Sequence, residues 1–314
     1  MTYKEAIDWL YETQQFGIKL GLEQPRRLLR ELRACPTTGV KVIHVAGTNG
    51  KGSTCAMIDA IARSCGLRSG LFTSPHLIDF RERIRVNGAE ISEEKTAQYL
   101  TEIRELVANW EHHPTFFELT LALGMMHFKQ QGCEVIALET GMGGRLDSTN
   151  VFSNPLVTAI TNIGLDHTQF LGTTLEAIAG EKAGIIKPNT PVVIGETQPE
   201  IETIFRTKAT REQAPIYFAD QCIETTPPTS LKDTYQIHNV RTVLQTVSIL
   251  NTGSFTIPTE AVQQGLLKVT ENTGLRGRWE VLGNSPKTIC DTAHNREGLS
   301  YVFKQLQSEK FQRL

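Results

Sequence analysis

The run Gly47-Thr48-Asn49-Gly50-Lys51-Gly52-Ser53 constrains this chain more than any other stretch. It follows a short β-branched run, Val40 to Val45, and precedes a segment in which Met57, Ile58 and Ile61 recur at helical spacing. Strand, glycine-rich loop and helix together form a unit in which backbone N–H groups converge on phosphate oxygens at the positive end of a helix. Lys51 is placed to meet the β- and γ-phosphates, and the hydroxyl of Ser53 or Thr54 can reach phosphate or a divalent cation. The spacing is G-x-x-G-K-G-S, not the common G-x-x-x-x-G-K-[ST], so the flanking strand and helix carry much of the reading.

The 314 residues suggest two domains, or one large domain with an appendage. Lys+Arg 32 against Asp+Glu 34 gives a net charge of -2, which disfavours a protein built to neutralise nucleic-acid phosphates. Cysteines stand at 35, 55, 65, 133, 222 and 290 with no C-x-x-C pair, so a thiolate zinc site or redox dithiol is not expected. Such scattered cysteines fit a reducing compartment. The N-terminus has no apolar core of a leader, and no run reaches the roughly 18 apolar residues of a membrane span. A cytoplasmic protein, with no membrane and no nucleic-acid partner, is the expectation.

Residues 1–33 have helical spacing. Leu71-Phe72 reads as a second strand and Thr73 to Gly88 as an arginine-bearing loop. Ser92 caps a helix to about Trp110, and Pro114 introduces another through Gln130. Val135 to Leu138, Leu156 to Ile160, Pro191 to Ile194 and Ile216 to Phe218 read as further strands, and 236–250 and 259–268 as helices. Thr173 with Glu176 has the capping-box pattern for a helix to Gly184. The alternation predicts an α/β fold, a mostly parallel sheet flanked by helices. Thr270 to Gly274 reads as a polar linker. Beyond it, strand-like Thr288-Ile289-Cys290 and a helix from about Glu297 open a second α/β unit too small to bury its own core.

Several polar residues fall at the carboxyl ends of predicted strands, where open α/β sheets bind ligands. Glu139 is a candidate Mg²⁺ ligand and Ser74 can complete a metal shell. Asp166-His167 lies on the same edge, although imidazole is an unusual Mg²⁺ ligand. Lys182 stands amid small and apolar residues. It reads as a lysine whose stem snorkels along the surface, or as one neutralised by its surroundings, which can take up CO₂ and ligate a cation as a carbamate. Asn239, Arg278 and Asp291 are polar groups of the kinds that meet an adenine edge, phosphate, and ribose or Mg²⁺.

Taken in order, the segments GTNGKGS at 47–53, TSPHL at 73–77, LETGMGGRLDSTN at 138–150, NIGLDHTQFLG at 162–172, GEKAGIIK at 180–187, QIHNVRT at 236–242, LRGRWE at 275–280 and DTAHN at 291–295 resemble the folylpolyglutamate synthase/dihydrofolate synthase family, a branch of the Mur-type ATP-dependent amide ligases. The resemblance implies a P-loop central domain over 1–273, and over 274–314 the beginning of a C-terminal glutamate-ligase domain. It implies nucleotide contacts from Gly47, Thr48, Asn49, Gly50, Lys51, Gly52, Ser53, Thr54, Asn239, Arg278 and Asp291. Ser74 and Glu139 would hold one Mg²⁺; His167 and a carbamylated Lys182 would hold a second. Thr115, Phe116, Phe117, Glu118, Leu146, Asp147 and Ser148 would line a pterin site, joined by Leu20-Gly21-Leu22. Lys51, Lys182 and His294 would be the catalytic side chains.

The activity so implied is ATP-dependent addition of L-glutamate to the carboxylate of dihydropteroate or a folyl-glutamate, through an acyl phosphate, by a monomer. Relatives carry a complete second α/β domain and this sequence contains only its start, so weak ATP binding and slow or absent turnover are expected. Two other readings stay open at this point: another Mur-type ligase acting on a cell-wall precursor, and a catalytically impaired nucleotide-binding fragment.

Overall fold

The strand that feeds the glycine-rich loop, β1 (Lys41–Ala46), lies at the centre of an eight-stranded sheet. The other strands of that sheet are β2 (Ser69–Phe72), β3 (Ile84–Val86), β4 (Ala89–Glu90), β5 (Val135–Glu139), β6 (Val157–Ile160), β7 (Val192–Ile194) and β8 (Ile216–Phe218), in the order β4-β3-β2-β5-β1-β6-β7-β8. All pairings from β2 to β8 are parallel, and β3 and β4 add an antiparallel edge. The computed structural model describes residues 1–35, 40–253 and 255–309.

The helices are α1 (Tyr3–Glu12), α2 (Glu23–Glu31), α3 (Lys51–Ser64), α4 (Glu93–Val107), α5 (Phe116–Gln130), α6 (Thr168–Leu171), α7 (Leu175–Ala183), α8 (Glu202–Arg211), α9 (Ala219–Cys222), α10 (Gln236–Asn251), α11 (Thr259–Leu267), α12 (Val269–Thr273) and α13 (Arg296–Ser308). The period-two alternation of the strands sorts them into layers. Ile43, Val45, Val135, Ala137, Val157 and Ala159 point to one face and pack with α3, α10 and α11 in one apolar cluster. Val42, Ile136 and Leu138 point to the other face, against α1, α4 and α5. Farther along that second face Ala46, Ile160 and Ile194 pack with α7 and α8.

Four features differ from the sequence reading. The helix expected over 1–33 is broken between Thr13 and Leu22, where the chain passes a short 3₁₀ turn and Gly17 and Gly21 take positive φ. The stretch 73–88 contains the turn Phe80–Arg83 and β3, because Ile84 alternates into the core beside β2. Helix α7 is capped by Thr174, whose hydroxyl accepts from Ala177 N–H, so Thr173 and Glu176 form no capping box. The expected linker at 270–274 is largely the helix α12: Val269 and Thr273, four apart, are both buried, and Gly274 ends it at φ 64. After it a separate hairpin forms from β9 (Glu280–Asn284) and β10 (Lys287–Cys290), followed by α13. Among the described residues no helix is long and apolar enough to cross a membrane.

Candidate active site

The strand order reverses direction at β1: β2 lies to one side of it, beyond β5, and β6, β7 and β8 follow on the other. The crevice outside the carboxyl ends of β1, β5 and β6 is therefore where the topology places a ligand. A cavity of about 860 Å³ opens there, running from Leu20, Phe116, Phe117 and Leu146 to Gly50, Lys51, Glu139 and Asn239.

The glycine-rich loop is held from behind. Thr48 N–H donates to Asn162 O at 2.8 Å, Asn49 N–H to Asn162 Oδ1 at 2.9 Å, and Thr48 Oγ to Gly164 O at 3.1 Å. Two glycines have no substitute. Gly47 sits at φ 146, where an added Cβ would fall 1.8 Å from Thr161 Oγ1; Gly50, at φ 85, would place one 2.1 Å from Asn239 Oδ1. Gly50 ends the loop as the cap of α3, and Lys51 and Gly52, in the first turn of that helix where N–H groups lack intrahelical partners, line the cavity. Lys51 Nζ donates to Thr48 O at 3.1 Å, and Ser53 and Thr54 are fully buried.

Glu139, 4% exposed, directs its carboxylate at that first turn. A Cβ on Gly52 would lie 3.3 Å from Glu139 Oε2 and 3.7 Å from Arg278 Nη2. Burial pushes the Glu139 carboxyl up, while Lys51, the Ser74 N–H at 2.9 Å, Arg278 and Arg83 pull it down. A carboxylate beside a serine, facing a phosphate cradle, fits a hard cation that takes one or two protein oxygens and completes its shell from phosphates and water. Among the described residues no cluster of three or more His, Cys, Asp or Glu assembles, so an all-protein cage is not formed.

Lys182 lies on the far side of the loop. It is 4% exposed, and its Nζ donates to Gly47 O at 2.8 Å. Desolvation, reinforced by the nearby Lys51 charge, pushes its pKa down to about 7. The snorkelling reading is thus excluded: this ammonium is inside. His167 caps α6 in left-handed backbone and is half-exposed; burial lowers its pKa. Asp166, unassigned on sequence, is the hub here. Its carboxylate lies 3.9 Å from His167 Nε2 and 3.7 Å from His294 Nε2. Asn295, quoted on sequence within 291–295, is a second residue left without a role there. Its side-chain amide pairs reciprocally with that of Asn49, at 2.9 and 3.1 Å, and so joins the phosphate loop to the start of α13.

Not every expected residue faces the cavity. Asp291 accepts from the N–H groups of Trp279 at 2.9 Å and Ala293 at 2.8 Å, which shapes the turn carrying Arg278, Thr292 and His294 to the cavity wall. Glu118 is buried in a capping box with Thr115, accepting from Thr115 N–H at 2.6 Å, and leaves Thr115, Phe116 and Phe117 to line the cavity. Arg83, also unassigned, is 7% exposed and lies over the Phe116 ring, donating Nε–H to His76 Nδ1 at 2.7 Å. In the sequence it is one arginine of the charged run Arg81-Glu82-Arg83-Ile84-Arg85, with nothing local to mark it from its neighbours.

The Mur ligase middle domain family matches residues 45–262. The dihydrofolate synthase/folylpolyglutamate synthase of Bacillus subtilis is 37% identical over 97% of this chain and 76% of its own length. This chain belongs to the folylpolyglutamate synthase/dihydrofolate synthase family of ATP-dependent Mur-type ligases. Escherichia coli FolC, solved in complex with DHPP and ADP, superposes with a TM-score of 0.84 at 29% identity, covering 98% of this chain and 75% of the other. The Yersinia pestis bifunctional synthase, solved with AMPPNP and Mn ion, gives 0.83 at 31% identity, covering 98% and 75%. The chain therefore spans about three quarters of the length of these relatives.

Proposed function

We propose that this chain forms an amide between the carboxylate of dihydropteroate or a folyl-glutamate and the amine of L-glutamate, using ATP. One observation carries the reading: a single cavity of about 860 Å³ joins the phosphate loop and Glu139 to a slot walled by Leu20, Phe116, Phe117 and Leu146, which puts a nucleotide tail and an aromatic acid in one space. A carboxylate is a poor acyl donor, so its oxygen takes the γ-phosphoryl group of ATP, giving an acyl phosphate and ADP. The glutamate amine then attacks the acyl carbon, and phosphate leaves.

The N–H groups from Gly47 to Thr54 bind the phosphates, and Lys51 offsets charge on the transferred group. Asn239, Arg278 and Asp291 shape the nucleotide end, and His294 stands near the phosphates. Ser74 and Glu139 would hold one Mg²⁺. His167 would hold a second together with Lys182, whose amine, neutral above about pH 7, adds to CO₂ with loss of a proton to become a carbamate. The divalent ion supplies charge neutralisation on the phosphoryl oxygens. Thr115, Phe116, Phe117, Leu146, Asp147 and Ser148 line or frame the pterin slot. On this reading residues 1–273 bind ATP and pterin, and 274–314 open the unit that presents glutamate.

The test is ADP release by this chain with ATP and Mg²⁺, adding dihydropteroate and L-glutamate singly and together. Release that requires the pterin acid and rises with glutamate is the expected result. ADP release indifferent to the pterin acid, or loss of nucleotide binding, would overturn the reading.

A further inference from the structure

On the second face of the sheet the apolar packing is interrupted. Val42 belongs to the cluster under α5 and Ala46 to the one under α7, and between them on β1 lies His44, 1% exposed. The gap between the two clusters is filled by the chain leaving β5, residues 140–150. His44 Nε2 is 2.9 Å from Thr149 Oγ1 and 3.1 Å from Thr140 Oγ1, so one ring nitrogen touches both ends of that loop.

The order of donors can be assigned from the far end of the chain. Asp147 Oδ1 accepts the Thr149 N–H at 2.9 Å and also the Thr149 hydroxyl. Oδ2 accepts the Met142 N–H at 2.8 Å, and the Gly141 N–H adds a fourth donor. Burial pushes the Asp147 carboxyl up, while the Thr149 hydroxyl and the Met142, Thr149 and Gly141 N–H groups pull it down; every polar neighbour is a donor, so the carboxylate is placed to accept. The Thr149 hydroxyl has one proton and gives it to Asp147. Toward His44 it can therefore only accept, which requires the proton on Nε2. Desolvation pushes the imidazole pKa down to about 3, so the ring is neutral and the Nε2–H tautomer is the one that fits.

We infer that His44, through Thr149, is a positioning residue for the pterin slot: it fixes the Asp147 carboxylate, which gathers the 141–149 backbone into the wall that the slot presents to its aromatic ligand. The loop so gathered carries Met142, Leu146 and Ser148 to the cavity, and its Gly141 lies against the Phe117 ring. Asp147 itself reaches the cavity wall, with its carboxylate turned to the Met142 and Thr149 groups of its own loop. The inference rests on the pterin reading above.

Equilibrium binding of dihydropteroate and of AMPPNP to the full chain, wild type against His44→Leu, Thr149→Val, the double variant and His44→Gln, tests it. His44→Leu and Thr149→Val should each weaken dihydropteroate by about tenfold, the loss expected for one buried hydrogen-bonded link, while AMPPNP binding stays within about twofold. The double variant should be no worse than either single one. Gln offers an N–H at the position of Nε2 and should restore most of the loss. Amide hydrogen exchange at Gly141, Met142 and Thr149 should quicken in both single variants, and the ¹⁵N spectrum of His44 should show the Nε2–H tautomer.

Equal loss of both ligands, pterin binding unchanged in Thr149→Val, or an Nδ1–H tautomer would overturn the inference. If His44→Leu does not fold, the near-isosteric Thr149→Val decides. A wild-type chain that binds AMPPNP but no pterin would overturn the functional reading instead; the tautomer and the exchange rates would still decide whether His44 orders the loop.

Discussion

Lys51 and Lys182 reach the same short loop from opposite sides, one donating to Thr48 O and the other to Gly47 O. Their surroundings give them different chemistry. Lys51 stands in the first turn of α3 and lines the cavity, where the proposed function gives it the part of a point charge for phosphate. Lys182 is packed under the loop near the end of α7, where desolvation makes the ammonium costly and the free amine accessible near neutral pH. Burial decides whether a lysine acts as a charge or as a nucleophile.

The largest effect should come from removing the charge. Lys51→Ala should abolish ADP formation, because no other side chain projects an ammonium from the first turn of α3. Coupled-enzyme detection of ADP checks this, and activity within tenfold of wild type would detach Lys51 from the phosphates. Lys182→Ala should also fail, but for the lack of a carboxylate rather than of a charge. Short carboxylates such as acetate or formate, added at high concentration, should therefore restore part of its activity and none of that of Lys51→Ala. A fully active Lys182→Ala would remove the carbamate, and equal rescue of both variants would erase the distinction between the two lysines.

The two residues also differ in how far the sequence revealed them. Lys51 was legible because everything that defines it is local: a β-branched run, glycines at fixed offsets and a helical period. The parallel sheet and the placing of Glu139 at a strand end followed from the same local signals. Lys182 was ambiguous because its neutrality depends on what α7 is packed against, and Gly47 is 135 positions away along the chain. The same limit explains α12, whose polar letters read as a linker although Val269 and Thr273 share a buried side, and Thr174, which took the cap from its neighbour Thr173. Asp166 and Asn295, both named on sequence, were given no role there for a related reason. Each is a hub between distant segments, and a hub has no spacing rule.

The smallest of these effects is in stability, and it separates the lysines without any substrate. Lys182 titrates near 7 in the fold and near the ordinary 10.5 in the unfolded chain. Across that window the unfolded state holds one more proton, so this group makes the fold more stable as pH rises from about 7 toward 10.5. Below the window both states are charged, and the fold bears the full cost of burying an ammonium. Lys182→Met keeps the volume and removes the charge, at the loss of one hydrogen bond to Gly47 O, which costs about 1 kcal/mol. The variant should therefore be more stable than wild type at pH 6, by on the order of a few kcal/mol, with the advantage shrinking and then reversing as pH climbs. Urea midpoints in carbonate-free buffer at pH 6 and pH 9.5 check it. A difference that does not change with pH would mean that Lys182 keeps its proton in the fold, and that the two lysines are both charges after all.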